Sequence, residues 1–185
     1  GPFAGITYWF DLRNGMDVGY DYTRYDFDET EDGEWDEPIG AHAIRLGYMH
    51  RFTQHTQGSI RYGLSIRDSD DADNDYTVHQ GSVGLEHAFS KTLRLDAYAG
   101  AYQQAGSPGD DENGVLGGLT VEKTFHRSTL SFDVERGWDE GYLEEDQRGF
   151  TEYWTAGANF RHQLTEHLDF YTRAFYRKNE EEVEA

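Results

Sequence analysis

Apolar side chains recur at every second position along most of this chain, and that period constrains its fold more than any other feature. Ile44, Leu46, Tyr48 and Phe52 follow one parity, and after a polar gap Ile60, Tyr62, Leu64 and Ile66 follow one again. The intervening positions hold Arg45, Gly47, Met49, Arg51, Arg61, Gly63, Ser65 and Arg67. Side chains of a β-strand point alternately to its two faces, so each run is a strand with one apolar and one charged face.

About ten such strands are predicted. Outside the pair above they are Ala4–Leu12, Met16–Phe27, Tyr76–Phe89, Leu93–Gln104, Gly114–Phe125, Thr129–Trp138, Phe150–Leu164 and Leu168–Lys178. Ile6, Tyr8 and Phe10 share the apolar face of the first, and Leu130, Phe132 and Val134 that of the eighth. The opposite faces carry Asp17, Asp21, Arg45, Arg61, Arg67, Arg94, Asp96, Glu122, Asp133, Glu135, Arg161, Asp169, Arg173 and Arg177, interleaved with glycines and with Tyr98, Tyr102, Tyr153 and Tyr171. A soluble sandwich or lipocalin-like barrel shows the same alternation, so the period does not decide which face lies inside.

The connections do discriminate. Short ones at 13–15, 53–57, 90–92, 126–128 and 165–167 alternate with long acidic ones at 28–37, 68–75, 109–113 and 139–146. The hairpin repeats about every 36–42 residues. Short turns at one end and long loops at the other are the pattern of transmembrane barrels, whose strands need about 9–11 residues to cross at a tilt. Aromatic residues gather toward strand ends (Phe10, Tyr25, Phe27, Phe52, Tyr76, Phe89, Phe125, Trp138, Tyr142, Phe150, Trp154), as girdles at the two water interfaces require. Against this stand His50, His87, Arg136 and His162 on the apolar parity, which lipid tolerates near an interface better than at mid-depth.

Composition narrows the functions. The 185 residues match one domain, 1–185, that is a β-barrel or part of one. The net charge of −20 repels nucleic acid. An aromatic content of 15% argues against bulk disorder, despite a mean hydropathy of −0.86. There is no cysteine, so no disulfide or thiol chemistry, and no apolar run long enough for a membrane helix. Gly1-Pro2 reads as a protease scar. The acidic segments are solvated loops with capacity for weak cation binding. DSDDADND (68–75) lacks the glycine and glutamate that a calcium loop needs at its sixth and twelfth positions.

The segments GITYWFDLRNGMDVGYDYTRYDFD, GSVGLEHAFSKTLRLDAYAGAYQQ and TAGANFRHQLTEHLDFYTRAFYRK share one form: an alternating strand, a short polar turn such as Ser90-Lys91-Thr92 or Thr165-Glu166-His167, and a second strand rich in Tyr and Arg. In this the chain resembles the outer-membrane β-barrels of bacterial exopolysaccharide export systems. The resemblance covers most of the chain. It implies an antiparallel up-and-down barrel in a bacterial outer membrane, a porin-like or export role, lipid as partner, and polysaccharide or small polar solutes as cargo. It carries across no catalytic residue, metal or cofactor. Barrels of this kind begin and end at the short-turn side, whereas both ends of this chain lie at the long-loop side and Ala185 follows EEEVE. The expectation is therefore an internal piece of a larger barrel or a barrel with unusual termini, and ten strands could also close on their own around a narrow, side-chain-filled interior.

Motifs for catalysis are missing: no nucleophile elbow, phosphate loop, zinc-protease helix or dinucleotide fold pattern occurs. The eight histidines (42, 50, 55, 79, 87, 126, 162, 167) are scattered, and His42 and His50 share a face but are too far apart for one metal. The chain is read as a non-enzyme. As a pore, it would be lined by Arg45, Arg61, Arg67, Arg94, Asp96, Tyr98, Tyr102, Asp133, Arg161 and Arg173, with opposed charges orienting polar solutes and tyrosine rings stacking on sugars. The plainer alternative is that these charges neutralise one another in a plugged structural barrel whose acidic loops meet partners. A soluble antiparallel barrel with a small-ligand cavity is the third reading.

Overall fold

The computed structural model describes residues 1–25, 39–69, 75–106, 112–143 and 147–180. Residues 28–37, 70–74, 109–111, 144–146 and 181–185, which hold most of the acidic segments and their candidate cation sites, lie outside the described residues. Ten antiparallel strands run in chain order through one sheet, β1 to β10, and no helix occurs among the described residues. They are β1 (Phe3–Trp9), β2 (Asn14–Tyr25), β3 (Ile39–Arg51), β4 (Thr56–Ser69), β5 (Tyr76–Ser90), β6 (Leu93–Ala105), β7 (Glu112–Thr124), β8 (Ser128–Leu143), β9 (Gln147–Thr165) and β10 (Leu168–Glu180). The up-and-down order matches the sequence expectation. Closure does not: β1 and β10 are the two edges of an open sheet.

The chain groups into two compact units. One gathers Gly1–Arg51, Gly58–Val83 and Gly100–Gly114; the other gathers Phe52–Gln57, Gly84–Ala99 and Val115–Ala185. In the first unit the register pairs Ile6 with Val18 and Val18 with Leu46 on one face, and Gly5 with Gly19 and Gly19 with Arg45 on the other. In the second unit Leu119 pairs with Val134 and Val134 with Ala156, while Glu135 faces Gly118 and Thr155. The parities read from sequence thus assemble into continuous faces. Most strands have 12–16 residues, and 13 residues at about 3.3 Å each and a tilt near 45° span about 30 Å, the thickness of a hydrocarbon layer.

Several boundaries shift for local reasons. β1 stops at Trp9 rather than Leu12, because the Asp11 carboxylate accepts from the backbone amides of Arg13 (2.6 Å) and Asn14 (2.8 Å) and from the Asn14 side-chain amide (2.8 Å), folding 10–13 into a turn. Gly1-Pro2 is not outside the fold: the Pro2 carbonyl accepts from the Tyr22 amide at 3.1 Å, lengthening the β1–β2 ladder. Residues 139–143, expected in a long loop, belong to β8. Pairing runs on through Asp139–Thr151 to Leu143–Gln147, since a backbone ladder needs only its N–H and C=O groups. Gly106, at the exit of β6, has φ 125°, a conformation that residues with a Cβ rarely adopt, and a Cβ there would also strike the Asp75 carbonyl.

The three hydrogen bonds hold the Asp11 carboxyl below its ordinary range, the bond from the Asn14 side chain contributing most. A depressed folded pKa means that the ordering is present above the unfolded value and lost as pH falls through the folded one. Asp11→Ala is therefore expected to lower the exchange protection factors of the Arg13 and Asn14 amides at neutral pH, and acidification of the native protein below the ordinary carboxylate range to do the same, relative to the intrinsic rate at each pH. Hydrogen-exchange measurements at these two amides check both.

Candidate functional site

The sheet is inverted relative to a soluble β-protein. On β4, Ile60 is 61% exposed while Arg67, on the opposite parity, is 7% exposed. Large apolar side chains along the apolar parity stand open: Ile6, Tyr8, Met16, Val18, Leu46, Val83, Leu85, Leu119, Phe132, Val134 and Phe170. The buried hydrophobics among the described residues are Tyr76, Val78 and Tyr102. All three lie on the parity of the charges, so the most enclosed part of the molecule is polar. Tyr76, counted in sequence among girdle aromatics, belongs here, beside Arg67.

In the first unit this face opens with β1. The Arg45 guanidinium lies over the Phe3 ring (5.4 Å) and that of Arg51 over Trp9 (3.8 Å). Arg67 donates to the Tyr76 hydroxyl at 3.5 Å and lies 5.4 Å from that ring. Buried Arg67 Nε and Gln104 Oε1 have no hydrogen-bond partner among the described residues. Each of these buried atoms suits a water or the hydroxyl of a polar solute. Tyr102 is buried in the same unit; Arg61 is exposed.

In the second unit the charges are mostly answered. Arg94 bonds Glu86 at 2.8 Å and Asp96 at 3.0 Å, and Arg161 bonds Asp169 at 2.6 Å. Glu135 Oε1 accepts from the hydroxyls of Tyr98 (3.0 Å) and Tyr153 (3.2 Å), and Arg177 stacks on Tyr153 at 4.4 Å. Asp133 accepts from the Asn159 amide at 3.2 Å. Arg173 is exposed, 5.1 Å from the Phe175 ring. The ten residues predicted as a lining thus divide: Arg45, Arg61, Arg67 and Tyr102 belong to one unit, and Arg94, Asp96, Tyr98, Asp133, Arg161 and Arg173 to the other. Within the second, Tyr98 is joined through Glu135 to Tyr153, and Arg94 directly to Asp96. Glu135, Asn159 and Gln104 were not singled out by motif; their parity is the only sequence signal that places them.

Glycines on this face make room for its large side chains. A Cβ at Gly47 would strike the Asp17 carboxylate, at Gly63 the Gln80 side chain, at Gly118 the Tyr98 ring and at Gly157 the Asp133 carboxylate. Each polar side chain lies across the glycine opposite it. No three His, Asp or Glu side chains converge as metal ligands among the described residues.

The apolar face has its own polar fittings. Tyr20 and Tyr62 hydroxyls bond His42 Nδ1 (2.8 Å) and His79 Nδ1 (2.7 Å), and Trp154 packs on Tyr176 at 5.3 Å. Arg136, an apparent obstacle to lipid contact, is paired with Glu152 at 2.7 Å. His50, His87 and His162 each bond a neighbouring strand: Asn14 Oδ1 at 2.7 Å, Thr56 Oγ1 at 2.9 Å and Ser128 Oγ at 2.7 Å. Asn14 Oδ1 also accepts from Tyr48, so His50 donates to it.

No family model matches the sequence, and no curated protein or solved structure is similar to it. The Gly100→Ala substitution is expected to destabilise the sheet by about 1–3 kcal/mol, because the new methyl group meets backbone at Gly81 and Ser82 that has no rotamer to yield. Gly81→Ala, with nothing within 4 Å of its Cβ position, should stay within roughly 1 kcal/mol of the native protein. Denaturant midpoints of the two variants in one folding medium check the contrast.

Proposed function

We propose that this chain forms the wall of an antiparallel β-barrel in a bacterial outer membrane, its polar face lining a conduit for polar solutes. The observation that carries the reading is the inverted burial. A sheet whose Ile6, Ile60, Val83, Phe89 and Phe132 stand open lacks a hydrophobic core of its own on that side. Contiguous exposed apolar surface of this extent calls for lipid or a partner protein. Lipid suits the accompanying features: strands long enough to cross, the tyrosine-bonded His42 and His79 toward the long-loop ends of their strands, and exposed Phe52, Phe89 and Phe125 at the short-turn ends. Edges at β1 and β10 would pair with each other or with further strands, since an unpaired ladder in lipid leaves every edge N–H and C=O unsatisfied.

The lining would hold Arg45, Arg61, Arg67, Arg94, Asp96, Tyr98, Tyr102, Asp133, Arg161 and Arg173. The hairpins' resemblance to exopolysaccharide export barrels suggests a saccharide cargo, for which stacked tyrosines and unspent donors and acceptors are the matching chemistry. The second reading, a non-conducting structural barrel, draws on the satisfied pairs Arg94–Glu86, Arg94–Asp96 and Arg161–Asp169.

The account expects folded protein only in detergent or bilayers, a gel mobility that changes on boiling, and discrete conductance steps in planar bilayers. Arg45→Glu with Arg61→Glu should move the pore's selectivity toward cations. Folding and membrane insertion without conductance would favour the structural barrel. A monodisperse folded protein in detergent-free buffer would favour the soluble ligand-binding barrel.

A further inference from the structure

The five strands that run into short turns end alike on the apolar face. The pairs are Tyr8 and Phe10, His50 and Phe52, His87 and Phe89, Lys123 and Phe125, and His162 and Leu164, each two residues apart. Tyr8 packs edge-on to Phe10 at 5.3 Å and His87 to Phe89 at 4.5 Å, and Lys123 Nζ lies 6.0 Å from the Phe125 ring. In four of the pairs the first member is basic and tied to the adjacent strand or its turn: His50 to Asn14, His87 to Thr56, Lys123 to Thr92 at 3.0 Å, and His162 to Ser128. The Phe rings are exposed. Beyond them, every short turn presents an exposed basic residue: Arg13, His55, Lys91, Arg127 and His167.

The short turns carry Arg13, Lys91 and Arg127, with Lys123 beside them, against Asp11 and Glu166, a small cationic excess in a chain whose net charge is −20. Most of the acid is elsewhere: 24 of the 36 acidic residues fall in 28–37, 68–75, 109–113, 139–146 and 179–185, which contain no Lys or Arg. Full cations beside exposed aromatic rings suit a lipid headgroup layer, where rings sit among glycerol and carbonyl groups and the cations reach phosphate.

We propose that the short-turn edge of the second unit is a docking surface for anionic phosphodiester lipid headgroups, with Lys91, Lys123 and Arg127 as phosphate contacts and Phe52, Phe89 and Phe125 as the aromatic row that sets their depth. This rests on the membrane reading above. The complementary charge names the occupant: a zwitterionic surface gives such an edge little advantage, and an acidic protein would have no use for the apolar row. The segregated acid also keeps the opposite end away from an anionic leaflet, so the edge fixes orientation.

The test reconstitutes the full chain into phosphatidylcholine bilayers and measures the association of spin-labelled phosphatidylglycerol relative to spin-labelled phosphatidylcholine. The native protein is expected to prefer the anionic lipid about fivefold, lost in molar salt. Lys91→Glu and Arg127→Glu combined with Lys123→Gln should bring the ratio to about one, while Lys91→Arg with Arg127→Lys keeps the preference. Equal association of both lipids with the native protein, or a preference that survives the charge-reversed variant, overturns the docking surface and leaves the membrane reading standing. Failure of the native protein to enter any bilayer overturns both.

Discussion

Everything in this structure follows from a conflict between the two faces of its sheet. A backbone ladder satisfies the peptide groups of each inner strand whatever the side chains are, so ten strands assemble on hydrogen bonds alone. Those bonds do not cover Ile60, Val83 or Phe132. Apolar burial is the principal favourable term for a water-soluble fold, and here the apolar side lacks it while Arg67, Gln104 and Thr155 are enclosed. The sheet's stability therefore depends on what meets its outer face. In lipid the conflict disappears, because the apolar parity is solvated by acyl chains and the polar parity retains its own partners.

The polar face is built for close approach. Flat-lying side chains over Gly47, Gly63, Gly118 and Gly157 bring carboxylate, amide and phenol groups against the sheet, where Asp133 accepts from Asn159 and Tyr98 donates to Glu135. Glu135 is the clearest instance, held by two tyrosines from different strands. Such fixed dipoles suit a wall along which polar solutes move. Arg67 and Gln104 differ in having unspent hydrogen-bonding capacity at nearly full burial, which makes that part of the face the most demanding of water or solute.

Strand number, order and parity were legible because a period of two leaves little freedom once turns are short. Ile44 to Phe52 and Ile60 to Ile66 needed no tertiary information to be set on one face. Other features were hidden. The β8–β9 ladder through 139–143 was obscured by acidic residues, since side-chain charge says little about backbone pairing at a strand's end. The histidines on the apolar parity counted against lipid contact when read singly, and their bonds to Asn14, Thr56 and Ser128 emerge only with register. Tyr76 was misplaced because residues near a strand's start have too few neighbours of their own parity to fix their face. Among the candidate lining, parity could place Arg94 and Asp96 on one face, but not the ion pairing that satisfies them.

The central claim is that the apolar parity meets lipid and the charged parity meets water. The chain lacks cysteine, so single spin labels can be placed without background. Labels at 60, 61 and 62 on β4, and at 130 through 134 on β8, would be compared for collision with oxygen, which concentrates in lipid, and with a water-soluble nickel chelate. The account predicts alternation of period two, with oxygen dominating at Ile60, Tyr62, Leu130, Phe132 and Val134, and the chelate at Arg61, Ser131 and Asp133. Chelate access at Ile60, Phe132 and Val134 equal to that at their neighbours, or the reversed alternation, would contradict it.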